Sequence, residues 1–204
     1  AVSDYSGYSV SISSDGTIVA IGAYDNDGNG NGSNSGHVRV YQYASGSWSQ
    51  LGSDIDGEAA TDKSGSSVSL SSDGTIVAIG AKWNYANGMS MVGHVRIYQY
   101  DVTKTEADTD QNSSTYGPIG WNRLGADIDG EASGDESGFS VSLSSDGTIV
   151  AIGAKKNAGT AANAANAGHV RVYQYDVTKT EAVTDPSSST YGPIGWNRLG
   201  ADID

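Results

Sequence analysis

Polar and apolar residues alternate through Ser9-Val-Ser-Ile-Ser13, so Val10 and Ile12 fall on one side and Ser9, Ser11 and Ser13 on the other. That period of two marks a strand with one apolar face. The next run, Thr17-Ile-Val-Ala-Ile21, is apolar at every position after the Thr and rich in β-branched residues. It predicts a strand that must be covered on both sides. Between them Ser14-Asp15-Gly16 offers the Asp-Gly pair that accepts the positive φ angles of a tight hairpin. Two more strand candidates follow, joined by Ala44-Ser-Gly-Ser47. The pattern therefore predicts four strands, at Tyr8–Ser13, Thr17–Ala23, His37–Tyr43 and Trp48–Ser53. No apolar run has a helical period, and none is long enough to span a membrane.

The same pattern then recurs. Ser-Ser-Asp-Gly-Thr-Ile-Val-Ala-Ile-Gly-Ala occupies Ser13–Ala23, Ser71–Ala81 and Ser144–Ala154 without a change. Each copy is preceded by Ser-Gly-x-Ser-Val-Ser and followed by a variable loop, a Gly-His-Val-Arg-(Val/Ile)-Tyr-Gln-Tyr segment and a Trp-x-x-Leu-Gly-x-Asp-Ile-Asp segment. The units run 1–58, 59–131 and 132–204. Units two and three carry inserts at 101–120 and 176–195. The stretches 101–129 and 176–204 differ only at Asp108/Val183, Gln111/Pro186 and Asn112/Ser187, the mark of a recent duplication. A four-stranded sheet that needs cover on both faces and is repeated in tandem predicts an all-β fold. It is three four-stranded antiparallel blades of a β-propeller or propeller-like repeat array. The small serines would let the neighbouring sheet approach closely. Asp15, Asp73 and Asp146 read as turn formers.

At these residues the chain resembles the FG-GAP repeat family, the blades of integrin α-subunit propellers and related extracellular proteins. Ser6-Gly-Tyr-Ser-Val10, Ser64-Gly-Ser-Ser-Val68 and Ser137-Gly-Phe-Ser-Val141 resemble its Phe-Gly strand. Ile18-Val-Ala-Ile-Gly-Ala23 and its copies resemble its Gly-Ala-Pro strand, and Gly36-His-Val-Arg-Val-Tyr41 the strand after it. Tyr24, Lys82 and Lys155 stand where the family has Pro. The calcium loop that such blades often carry between strands one and two is replaced by the Asp-Gly turn. The resemblance implies a non-enzymatic protein, extracellular or at the cell surface, acting in adhesion or recognition. The competing reading is a building unit of an extracellular filament, coat or appendage. Three blades are fewer than the four to eight that usually close a propeller. The chain, which starts at Ala1, thus reads as a mature or excised block of a longer array or as half of a six-bladed dimer, with copies of itself as partners.

The formal charge of −13 disfavours nucleic acid as a partner. The absence of cysteine excludes disulfides and thiolate chemistry. No nucleophile elbow, phosphate loop or His-Glu-x-x-His is present, and no catalytic residue is assigned. His37, His94 and His169 each sit two residues before an Arg and share its face. Equivalent positions on stacked sheets lie roughly 10 Å apart, too far for one zinc ion with bonds of about 2 Å. A repeated inter-blade hydrogen bond is the reading favoured for them. Arg39, Arg96 and Arg171 are expected to pair with acidic residues of a neighbouring blade, from the Asp-Ile-Asp loops.

Calcium is the candidate cofactor. Its candidate ligands are Asp25, Asp27 and Asn29 in an Asp-x-Asp-x-Asn-Gly spacing, Asp54, Asp56, Glu58 and Asp62 in one acidic connection, and Asp127, Asp129, Glu131 and Asp135 in the next. Antiparallel alternation puts these connections at the same end of the blades as the variable loops 24–35, 82–92 and 155–167. There Trp83, Tyr85, Met89 and Met91 form a candidate contact patch for a protein or glycan ligand. The Ala/Asn-rich loop of unit three reads as inert. The inserts are expected at the opposite end, pinned by Trp121 and Trp196 and free for contacts between subunits. Asn31 and Asn112 head candidate N-glycosylation sequons, and the Ser/Thr-rich inserts are candidates for O-linked sugars.

Overall fold

The computed structural model describes residues 3–28, 31–86, 88–158 and 166–203. Among these residues there is no helix. Fourteen strands make three antiparallel, propeller-like blades. The first holds β1 (Ser9–Ile12), β2 (Ile18–Ala23), β3 (His37–Ala44), β4 (Ser47–Gln50) and β5 (Ile55–Asp56). The second holds β6 (Ser64–Leu70), β7 (Ile76–Ala81), β8 (His94–Tyr100), β9 (Trp121–Arg123) and β10 (Ile128–Asp129). The third holds β11 (Ser137–Leu143), β12 (Ile149–Ala154), β13 (His169–Tyr175) and β14 (Trp196–Arg198), with Ile203 bridged to Val170.

The Asp-Gly turn closes as its residues demand. Asp15 accepts from the Ser13 hydroxyl (2.7 Å) and from the Thr17 amide (2.9 Å), and the Ser13 Oγ accepts from the Ile18 amide (2.9 Å). Asp73 and Asp146 repeat these bonds. Gly16, at φ 75°, takes the left-handed position of the turn.

The fourth strand differs from the expected Trp48–Ser53. It is two pieces, β4 and β5, on the same edge of β3. Pairing runs from Tyr41↔Gln50 to Val38↔Ile55, three steps on one strand against five on the other. The two extra residues form a bulge at Gly52, whose φ of 65° breaks the strand. Gly125 and Gly200 break units two and three in the same way, at φ 67° and 73°. The bulge turns Asp54, Asp127 and Asp202 back toward the arginine of the third strand.

The blades stack with polarity. Ile18, Ala20, Val38, Val40 and Ile55 of the first face Val68, Leu70, Val77, Ile79, Tyr98 and Trp121 of the second in one core. A second core joins blades two and three through the equivalent residues. The serines that alternate with these apolar residues are spacers, as expected, and also rungs between sheets. Ser9 and Ser67 donate to the carbonyls of Gly65 (2.7 Å) and Gly138 (2.8 Å) of the next blade. Ser11 and Ser69 accept the amides of Leu70 (3.0 Å) and Leu143 (2.9 Å). The approach is so close that a Cβ on Gly22 would lie 2.2 Å from Gly65 O, and one on Gly80 2.1 Å from Gly138 O.

The inserts depart from expectation. They do not stay at the opposite end but fold back along the outer edge of their blade. Asp108 and Gly117 pair across the insert, and Lys104 Nζ ties it to the carbonyls of Thr115 and Trp121. The Arg123 guanidinium lies 4.5 Å from the centre of the Tyr116 ring and donates to Gln111 O. Tyr116 Oη and Gln111 then reach Glu58 in the acidic connection, at 3.1 and 3.3 Å. Lys179, Arg198 and Tyr191 repeat the internal bonds in unit three. The tryptophans do pin the inserts. Both are fully buried, and their indole N–H groups donate to Leu51 O (3.2 Å) and Leu124 O (3.0 Å) of the preceding unit.

A side chain at Gly80 must push two sheets apart, while one at Gly153 meets only Ser140 of its own sheet. In denaturant titrations on dilute protein, Gly80→Ala is expected to lower stability by roughly 1–3 kcal/mol. Gly153→Ala should change it by less than about 0.5 kcal/mol. Equal losses would mean that the glycines serve the strand and not the junction.

Candidate recognition face

Two constructions share the end of the blades that carries the variable loops. On the outer side lies a lattice of arginines and carboxylates. Arg39 makes two bonds to Asp54 (2.8 and 2.7 Å), Arg96 two to Asp127 (2.9 and 2.7 Å) and Arg171 two to Asp202 (2.8 and 2.9 Å). The expected partner in a neighbouring blade is also present. Glu58 of the first unit reaches Arg96, and Glu131 of the second reaches Arg171. Arg123 and Arg198 add bonds to Asp127 (2.8 Å) and Asp202 (3.0 Å). Each junction is thus crossed by a charged group whose main, forked partner belongs to the arginine's own blade.

The histidines belong to this lattice, and among the described residues each lies against a carboxylate of its own unit. Nδ1 of His94 and of His169 lies 3.8 Å from the carboxylate of its own unit, and His37 lies 3.6 Å from Asp54. Burial, helped by the adjacent Arg96 charge, pushes His94 down to about 3, so the imidazole is neutral. Burial alone would raise Asp127. The charge and hydrogen bonds of Arg96 outweigh it and hold the carboxyl at about 2. Beside them a polar cleft of about 360 Å³ opens between Glu58, Arg96 and insert residues Asp108, Gln111 and Tyr116.

The candidate calcium ligands have the following partners. Asp25 pairs with Lys63, and Asp27 accepts the Asn34 amide at 3.0 Å. Asn29 lies outside the described residues. Asp62 and Asp135 cap the turns that begin at Ala59 (3.0 Å) and Ala132 (2.9 Å), and Asp135 also holds Asn157 (2.9 Å). Asp54, Glu58, Asp127 and Glu131 are held by guanidinium groups. Asp129 pairs with His94 in the ladder between β10 and β8. Two groups of three ligand atoms within 4.8 Å occur among the described residues: His37, Asp54 and Asp56, and Glu131, His169 and Asp202. Each mixes an imidazole with carboxylates, where calcium prefers oxygens throughout.

On the inner side, an aromatic and lysine row crosses all three units. Tyr24 stacks on Tyr5 with centroids 5.4 Å apart and meets the edge of Tyr8 at 4.4 Å. Lys82 lies 5.4 Å from the Tyr8 ring, 5.1 Å from Tyr24 and 5.6 Å from Phe139. Lys63 lies between Tyr24 (5.4 Å) and Trp83 (5.2 Å), and Lys155 sits 3.9 Å over Phe139. Glu136 binds Lys156 at 2.7 Å and Lys155 at 3.5 Å. Tyr5, Lys63 and Glu136 occupy one repeat position, and all are left-handed, with φ of 52°, 60° and 54°. That conformation costs a non-Gly residue about 1–2 kcal/mol.

Of the expected contact patch, Trp83, Tyr85 and Met91 are exposed and Met89 is half-buried. Only Trp83 joins the row. The rest of the row was missed, although one signal was available. Positions 8, 66 and 139 and positions 24, 82 and 155 are framework positions at which the otherwise constant strands change residue. Asn31 and Asn112 are exposed. Asn31 donates to Gly57 O (2.8 Å), and the Asn112 amide bonds to Asp110 (3.0 Å). Residues 159–165 of the Ala/Asn-rich loop lie outside the described residues.

The model of the FG-GAP repeat family matches residues 1–41, from before β1 into the middle of β3. The first unit is therefore similar to an FG-GAP repeat, and its framework recurs in the other two. No curated protein matches the chain.

Stability should respond to acid in two steps. His94 binds its proton less readily folded than unfolded, so stability falls as pH drops from about 6.5 toward 3. Asp127 is depressed in the folded state, so its contribution holds above about 3.9 and is lost as pH falls toward 2. Urea titrations across pH should show the first loss, roughly 2–4 kcal/mol, in the wild type and a much smaller one in His94→Gln. An unchanged slope in that variant would refute the assignment.

Proposed function

We propose that this chain is a non-enzymatic, extracellular adhesion or recognition module that binds an anionic glycan through the aromatic and lysine row. FG-GAP repeats are typical of extracellular, non-enzymatic proteins, and the first unit is similar to one. No helix among the described residues is long and apolar enough to cross a membrane.

The observation that carries the reading is the placement of positive charge. The chain has a formal charge of −13, yet four of its six lysines gather at this row: Lys63, buried against Asp25, Lys155 and Lys156, which share the single carboxylate of Glu136, and Lys82 among the rings. All five arginines are consumed by the carboxylate lattice. Lysines between aromatic rings suit a charged sugar, with the rings stacking on its apolar face and the ammonium groups meeting carboxylate or sulfate. The strained Tyr5, Lys63 and Glu136 lie in the same row, where stored strain often accompanies binding.

A second reading, a building unit of an extracellular filament, coat or appendage, is favoured by the two inserts. They are nearly identical and are held by the same bonds, Lys104 with Arg123 and Lys179 with Arg198.

The test is solid-phase binding to a sulfated polysaccharide and to its desulfated form. The wild type should prefer the sulfated form and lose binding with rising salt. Lys82→Ala with Trp83→Ala should weaken binding about tenfold, equivalent to about 1.4 kcal/mol, at unchanged melting temperature. Equal binding of both polysaccharides, or no effect of the substitutions, would remove the glycan reading.

A further inference from the structure

Lys63 stands just before β6 and Asp25 two residues after β2, so the two belong to different blades and lie 38 residues apart in sequence. Their side chains meet across the first junction, Lys63 Nζ against the Asp25 carboxylate, and are only 9% and 19% exposed. Both backbones are fixed. Lys63 is left-handed at φ 60°, its amide donates to Asn34 O (3.3 Å) and its carbonyl accepts the Ser66 amide (3.1 Å). Asp25 sits inside a turn closed by the Asn26 amide on Ala23 O (3.1 Å). The Tyr24 and Trp83 rings, with centres 5.4 and 5.2 Å from the ammonium, flank the pair and limit the access of water.

Two physical arguments make this contact reactive. A buried ion pair recovers only part of the cost of taking its charges out of water, and a neutral amide in its place carries no such cost. An amine and a carboxyl group held together by a folded backbone also meet at an effective concentration far above any in free solution. With no cysteine in the chain, a disulfide cannot tie the blades.

We propose that Lys63 and Asp25 join in an intramolecular isopeptide bond that staples the first blade to the second. The ammonium gives one proton to the carboxylate, which leaves an amine facing a carboxylic acid. The lone pair of Nζ attacks Cγ, a C–N bond forms, and the C–O bond to the hydroxyl breaks. The hydroxyl departs with a second proton from the nitrogen as water, so the two side chains supply every atom and electron of the step. The bond takes the Lys63 charge out of the row and leaves those of Lys82, Lys155 and Lys156, so the inference does not rest on glycan binding.

Mass spectrometry of the purified, denatured chain tests it without any ligand. The wild type should weigh one water less than its 20.9 kDa sequence. Trypsin does not cut after an acylated lysine, so the digest should hold a branched peptide in which residues 1–39 are joined to 40–82. Asp25→Ala and Lys63→Arg should each show the full mass of their own sequence and yield the two segments unlinked, with the second cut after residue 63. A wild type of full mass overturns the proposal. So does a missing water that persists in Asp25→Ala, since that would place the loss elsewhere, as in a succinimide at one of the Asp-Gly turns.

Discussion

Everything in this molecule depends on two sheets coming close enough for a backbone carbonyl of one to rest against a glycine of the other. Gly22 under Gly65 and Gly80 under Gly138 set that separation. At it the serine hydroxyls span the gap and bond to main-chain groups of the next blade. A larger residue at the glycine, or an apolar one at the serine, would leave these groups buried without partners. The β-branched wall supplies most of the driving force, at about 25 cal/mol per Å² of apolar surface removed from water. The glycines and serines decide where the wall stops and in which register it meets its neighbour.

The charged lattice follows from that stacking. Arg96 is nearly buried because a preceding blade covers its face, and burying it demands countercharge. The bulge after β9 supplies Asp127, and the connection from the preceding blade supplies Glu58. Arg39 has the same own-blade partner but a side chain 43% exposed, since its face has no neighbour within the chain. The insert closes the arrangement from outside, with Tyr116 and Gln111 on Glu58. In the acidic loops, Glu58 and Glu131 thus reach across the junctions, while Asp54, Asp127 and Asp202 anchor the arginines of their own blades.

Much of this was determined by the sequence alone. Alternation in Ser9–Ser13, the doubly apolar Thr17–Ile21 and the Asp-Gly between them specify a hairpin without help from elsewhere, and its threefold recurrence specifies blades. These are local rules of period and turn geometry, and β2, β7 and β12 obey them closely. Tertiary structure alone decided three things. It split the fourth strand, because the left-handed Gly52 and the pull of Arg39 on Asp54 act only when β3 lies beside them. It folded the insert back, because Glu58 of the preceding unit captures Tyr116, whose ring lies against Arg123 of its own blade. It also assembled the aromatic and lysine row, since Tyr24, Lys82 and Phe139 are separated by more than fifty residues at each step and meet only across junctions. Period and turn chemistry act between near neighbours on the chain, whereas a charge or a ring finds its partner only after the sheets have stacked.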